Sequence, residues 1–168
     1  MIARREMINL IKEGIVFDAK PDAIPFNYRI SYKVSLICMI IKVCCGRRGC
    51  SLVKMHMIAT AVSDREYEEK LKRYLQTQIP GTFVIRFEPS LNRALEYALA
   101  DGFIAQQVNG TYKLIDRGKV LVKEIQNDDT IFRYEKKVLE EIQCDLTEEK
   151  IKSLMEGWRY QNAKNQQT

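Results

Sequence analysis

One histidine, five cysteines and a few short carboxylate runs are what this sequence offers for chemistry. His56 is the only imidazole, so any Cys-His or Ser-His nucleophilic pair must include it. The neighbours of suitable type are Cys50 and Ser51, at the start of the helix that the pattern predicts around His56. That separation along a helix is wrong for contact, because helical side chains meet three or four positions apart. His56, beside Met55 and Ile58, therefore reads as a structural residue. Cys44, Cys45, Cys50 and His56 are grouped, but they contain no Cys-x-x-Cys pair, adjacent cysteines are poor co-ligands, and no second histidine exists. No metal and no cofactor is expected. Gly46-Arg47-Arg48-Gly49 lacks the following Lys-Ser/Thr of a phosphate loop and stops a helix, where such a loop joins strand to helix. Glu66, Glu68 and Glu69 are expected on a polar face, and Asp128 and Asp129 in a loop, where solvation accounts for them. No catalytic residue is assigned, and the chain is not expected to be an enzyme.

The elements that carry these residues follow from apolar spacing. Residues 1–29 form a lead-in, with Met7, Ile8, Leu10 and Ile11 in a short amphipathic segment broken by Pro21 and Pro25. Ile30, Val34, Ile37, Ile41 and Cys44 mark a helix apolar on nearly every face, hence central. Ser51 caps a second helix with Leu52, Met55, Ala59 and Val62 on one face. Ser63-Asp64-Arg65-Glu66 has the form of a capping box for a third, whose stripe is Tyr67, Leu71, Tyr74 and Leu75. Thr82 to Phe87 reads as a short strand, and Pro89-Ser90 opens a helix with Leu91, Ala94, Leu95, Ala98 and Leu99 inward. Asp101-Gly102 closes it. Phe103–Val108 and Thr111–Ile115 then read as a hairpin about Asn109-Gly110, a pair suited to a type I′ turn. Asp116 caps a helix to about Gln126. Ile131, Tyr134, Val138 and Ile142 mark another, and Ile151, Leu154, Met155 and Trp158 a last one.

This order predicts a mainly α (α+β) fold: a winged-helix domain over 30–127 with a small β-hairpin wing and an inserted helix. Two appended C-terminal helices follow over 128–160, with a flexible tail at 161–168. A chain of 168 residues can bury a core without disulfide or metal. The odd cysteine count, with two adjacent and one inside an apolar run, fits reduced thiols and a cytoplasmic location. The stretch from Val34 to Cys45 is too short to span a bilayer, so no membrane partner is expected. Residues 1–60 hold ten Lys/Arg against four Asp/Glu, and the remainder seventeen against eighteen. Arg29, Lys33, Arg47, Arg48 and Lys54 therefore form a patch for an acidic partner, phosphates or protein. The helix before the wing offers Asn92, Arg93 and Glu96, and the wing has no cation until Lys113, which is poor equipment for reading DNA sequence.

Two stretches carry a likeness to a known family. They are Gly46-Arg47-Arg48-Gly49-Cys50-Ser51-Leu52-Val53-Lys54-Met55-His56 and Arg86-Phe87-Glu88-Pro89-Ser90-Leu91-Asn92-Arg93-Ala94-Leu95 with the wing behind it. From about Phe26 to Gln126 the chain resembles the middle components of ABC-three-component systems, the small subunit of Lamassu-type antiphage defence operons. The resemblance implies an adaptor that bridges an SMC-like ABC ATPase and an effector subunit, often a nuclease, and helps restrain the effector until foreign DNA is sensed. It implies protein–protein interaction, with non-specific DNA contact as an accessory, and brings no catalytic residue. Leu52, Met55, Leu91 and Leu95 are better explained as core, which leaves Arg47, Arg48, Lys54, Arg86, Glu88 and Arg93 as partner- or DNA-contact candidates. Arg86, Glu88 and Arg93 are also close enough in sequence to pair within the chain. Trp158 is the candidate on the terminal helices, where Trp158→Ala is expected to weaken assembly more than it lowers Tm. The alternative readings are a winged-helix DNA-binding transcriptional regulator and an accessory protein of a chromosome-organising SMC complex.

Overall fold

The apolar run that begins at Ile30 forms the element on which the others are arranged. A computed structural model describes residues 25–46, 48–79 and 84–165, with side chains of the last stretch described to residue 157. Helix α1, Ile30–Cys44, buries Val34, Leu36, Ile37, Cys38, Met39, Ile40, Ile41 and Cys44. No ordinary surface helix buries so many consecutive side chains, and neighbours cover α1 on several sides. Among the described residues no helix is long and apolar enough to cross a membrane.

After α1 the chain turns through Gly46–Gly49, closed by the Gly49 amide donating to the Gly46 carbonyl at 3.2 Å. Gly49 has φ +84°, and a Cβ there would lie 2.5 Å from Gln107 Oε1 and 2.9 Å from the Tyr112 carbonyl. Only glycine fits that backbone and that space. Helix α2, Leu52–Ser63, is capped by Ser51, whose Oγ accepts from the Lys54 amide at 3.2 Å. Helix α3, Arg65–Thr77, starts one residue later than a Ser63 capping box requires. Asp64 is its cap, accepting from the Tyr67 amide at 3.1 Å, while Ser63 closes α2 and donates back to the Ala59 carbonyl. Both residues are good caps, and the carboxylate wins the position.

The strand expected at Thr82–Phe87 is not formed over its described part: Val84–Phe87 pairs with no strand. The place beside the hairpin is taken by Cys50, whose amide and carbonyl both bond Tyr112 at 2.8 Å. Helix α4, Pro89–Ala100, buries Leu91, Ala94, Leu95 and Ala98 against α1, with Pro at a first-turn position where its missing N–H costs nothing. Strands β1, Ile104–Gln106, and β2, Tyr112–Leu114, pair antiparallel, with Gln106 opposite Tyr112. Their loop is a residue longer than the expected type I′ turn. The Gln107 amide bonds the Thr111 carbonyl, Gly110 donates back to Gln107, and of the loop only Gly110 has positive φ. That is a three-residue hairpin loop ending in a left-handed glycine.

Helix α5, Asp116–Asn127, has Ile115 as its cap and Asp116 as its first residue, so it starts one position earlier than expected. A Cβ on Gly118 would meet the Phe103 carbonyl at 2.1 Å, so this glycine lets α5 lie directly on the backbone before β1. Helix α6, Arg133–Ile142, buries Val138, Leu139 and Ile142; Ile131 precedes it and is exposed, as is Tyr134. Helix α7, Glu148–Asn165, extends through most of the segment expected to be a flexible tail. Leu139, Ile142, Leu146, Ile151 and Leu154 join the same core as α1 and α2. The described chain is thus mainly helical with one small antiparallel hairpin.

Candidate interaction surface

The loop before α4 is held by two buried side chains from other helices. Lys33, on α1 and 3% exposed, donates to Glu88 Oε1 at 2.5 Å, and Ser90 Oγ donates to the same oxygen at 2.6 Å. Burial pushes the Glu88 carboxyl up, but the Lys33 and Ser90 hydrogen bonds outweigh it and hold Glu88 below the usual carboxylate range. The Glu88 amide donates to His56 Nδ1 at 3.2 Å, so the imidazole proton resides on Nε2 and is donated to Asn92 Oδ1 at 2.8 Å. Phe87 packs on the His56 ring with centroids 4.8 Å apart. Burial lowers the His56 pKa, since protonation would place a charge in the core and remove the acceptor for Glu88. Both ring nitrogens are occupied in fixing the entry to α4.

A second polar network lies between α3 and α6. Glu68, expected on a solvated face, is buried; it accepts from Tyr134 at 2.5 Å and from Lys72, which also reaches Glu141. Burial raises the Glu68 carboxyl, and the bonds from Lys72 and Tyr134 bring it below its ordinary value. A neighbouring cleft of about 320 Å³ is lined by Lys72, Leu75, Gln76, Glu141 and Asp145. Among the described residues, no group of three His, Cys, Asp or Glu is placed to hold a metal. The four residues weighed for zinc are divided, with His56 turned to Asn92 and Cys44 Sγ donating to the Leu139 carbonyl.

The contact candidates separate into distinct environments. Lys54 is 5% exposed and its ammonium donates to the Cys44 carbonyl at 2.6 Å, so it is a buried organiser of the α1 end and not a surface cation. Glu88 is spent on Lys33. Arg86 is exposed and pairs with Asp64 at 3.1 Å. Pairing within the chain therefore holds for Arg86 and Glu88, but with partners outside their own segment. Arg48 and Arg93 are exposed, and the Arg48 carbonyl accepts from Thr111 at the base of the hairpin. Arg47 and the Trp158 side chain lie outside what is described.

Sequence reasoning missed two outward apolar side chains, one on α4 and one at the hairpin tip. Tyr97 on α4 is 49% exposed, and Val108 at the hairpin tip is fully exposed. Helical spacing placed Tyr97 off the buried stripe, and that signal was available. Asn92, expected outward, turns toward His56 instead. No protein-family model matches the chain. No curated protein matches it, and no solved structure does either.

Proposed function

We propose that this chain is a non-enzymatic, cytoplasmic adaptor subunit with a winged-helix core, which uses the outer face of α4 and the hairpin tip to bind protein. The topology supports the winged-helix reading. Helix α1, the single bridge at Cys50, α2, α4 and the β1–β2 hairpin follow the order of that fold, with α3 inserted and α6–α7 appended. The observation that carries the functional reading is the chemistry of the outward face. It presents Arg93, Glu96 and Tyr97 on α4, and Val108 where a DNA-reading wing would carry a cation. One cation against one anion, with an aromatic and an aliphatic side chain exposed, is the composition of a protein-binding surface.

The resemblance to middle components of ABC-three-component systems gives the partners: an SMC-like ABC ATPase and an effector subunit of nuclease type, held restrained until foreign DNA is sensed. A DNA-binding regulator is the second reading, and the exposed Arg48 and Lys113 near the wing are what favour it. Tagged purification from the native host at moderate salt, with mass spectrometry, tests the choice. Recovery of an SMC-like ATPase with a second large protein, lost in Tyr97→Glu/Val108→Asp, supports the adaptor. A lone dimer carrying nucleic acid, with binding that falls steeply as salt rises, overturns it.

A further inference from the structure

Two thiols flank the Gly46–Gly49 turn in surroundings unlike those of the other buried cysteines. Cys38 and Cys44 are each pushed up to about 12 by burial. Cys45 and Cys50 instead act on each other's thiols, in opposite directions. The turn explains how they meet. Its closing bond, Gly49 amide to Gly46 carbonyl at 3.2 Å, sets the limbs that carry Cys45 and Cys50 opposite one another, as in a hairpin. One limb is fixed further, because Cys50 is paired through both backbone groups to Tyr112. The Lys54 ammonium is anchored on the Cys44 carbonyl at 2.6 Å, one residue from Cys45, and its charge acts to lower both thiols. A buried cation favours a thiolate.

The two sulfurs are not equivalent. The neighbouring Cys50 thiol and Lys54, set against burial, hold the Cys45 thiol below its ordinary value. The neighbouring Cys45 thiol and burial raise the Cys50 thiol. Cys45 also keeps 7% exposure, where Cys50 has none. Access and thiolate character therefore fall on the same residue.

We propose that Cys45 and Cys50 are a peroxide-sensitive dithiol, with Cys45 attacking and Cys50 resolving, and that oxidation joins them in a disulfide across the 46–49 turn. The Cys45 thiolate attacks one oxygen of hydrogen peroxide, the O–O bond breaks, and the departing hydroxide takes up the proton Cys45 had lost and leaves as water. Cys45 is then a sulfenic acid. Cys50 gives up its proton, its sulfur attacks the Cys45 sulfur, the S–O bond breaks, and the hydroxyl leaves with that proton as a second water. Two thiols supply the two electrons that reduce one peroxide. Because Cys50 is already paired with Tyr112, the new bond ties the end of α1 to the base of the hairpin. Lys54 is a positioning residue in this scheme, holding charge beside the attacking sulfur.

Equimolar hydrogen peroxide on the reduced full chain, followed by a maleimide quench and a tryptic mass map, tests this. Trypsin cuts after Lys42, Arg47, Arg48 and Lys54, so the two cysteines fall in separate peptides, residues 43–47 and 49–54. The expected product is those peptides joined and lighter by two hydrogens, with fragmentation placing the link at Cys45 and with Cys38 and Cys144 recovered as adducts. Lys54→Gln, which can still donate to the Cys44 carbonyl, should slow the reaction about tenfold. A Cys44–Cys144 link, oxidation confined to exposed Cys144, or recovery of both Cys45 and Cys50 as adducts after excess peroxide overturns the proposal. In Cys45→Ala, Cys50 should return as an adduct. The native-chain map needs no substitution and stands even where a variant folds poorly.

Discussion

Replacing Glu88 by alanine removes the only carboxylate paired with Lys33 among the described residues and leaves that ammonium 3% exposed in the core. Breaking a fully buried ion pair from one side costs about 3–5 kcal/mol, because the remaining charge stays desolvated. Glu88 is 35% exposed, so water can reach the vacated position and screen part of that cost. The expected loss is then about 2–3 kcal/mol. Arg86→Ala is the internal control. It lies two residues away in the same loop and breaks an ion pair of 65% and 35% exposure with Asp64, where the expected loss is at most about 0.5 kcal/mol. Lys33→Met/Glu88→Gln removes both charges and should be more stable than Glu88→Ala alone. Urea denaturation followed by far-ultraviolet circular dichroism measures all three, and in a chain of this size each kcal/mol moves Tm by roughly 2–4 °C. If Glu88→Ala costs no more than Arg86→Ala at an equal denaturant slope, Lys33 does not depend on its carboxylate and the account of the α4 entry is wrong.

The remaining predictions concern pH, backbone space and packing. The His56 pKa is lower folded than unfolded, so the unfolded chain binds more protons in that range; stability should be full above the unfolded value of about 6.5 and fall as pH drops from there toward the folded value. His56→Gln should flatten the curve of unfolding free energy against pH between about 5 and 7, and an unchanged slope contradicts the buried neutral tautomer. Glu88 and Glu68 have lowered folded values, so their share is present above the ordinary carboxylate value and is lost as pH falls below it. Gly49→Ala, at φ +84° and against Gln107 and Tyr112, should cost about 2 kcal/mol or more, and equal stability would mean that the turn relaxes freely. Leu139→Ala, at a side chain with no exposure, should cost about 2–5 kcal/mol in the same denaturation assay. A loss under about 1 kcal/mol would show α6 to be loosely attached.

Elements whose apolar spacing repeats over three turns were legible in the sequence, and elements decided by one competing neighbour were not. Leu91, Ala94, Leu95 and Ala98 define α4 by themselves, because a stripe at that spacing has one way to be buried. The apolar β-formers at 84–87 had no such exclusivity. Their place beside β2 went to Cys50, which is brought there by a turn that only Gly49 permits. Asn109-Gly110 marked the hairpin correctly but not its loop, since the Asn109 side chain accepts from the Thr111 amide at 3.1 Å and supports a wider turn. Ser63 and Asp64 are both good caps, and sequence alone does not rank them once Ser63 can bond back to Ala59.

The charges were the least legible part, and they bear most on function. A basic first third reads as a phosphate-facing patch only if its cations face solvent. Of the five assigned to that patch, Lys33 and Lys54 are buried and spent on Glu88 and the Cys44 carbonyl. Arg29 is engaged within the chain, and Arg47 lies outside the described residues. Arg29 and Arg48 are the exposed members of the five among the described residues. The partners of the buried pair explain why this was hidden: Glu88 is 55 positions from Lys33, and the carbonyl that receives Lys54 belongs to the preceding helix. Lys42 adds a third exposed cation among the described residues of that third. Three exposed cations give a shallow salt dependence, because each phosphate contact contributes a slope of only about −0.9. A shallow salt dependence of any nucleic-acid binding is what the proposed adaptor reading expects of these cations, and a steep one would speak for the regulator.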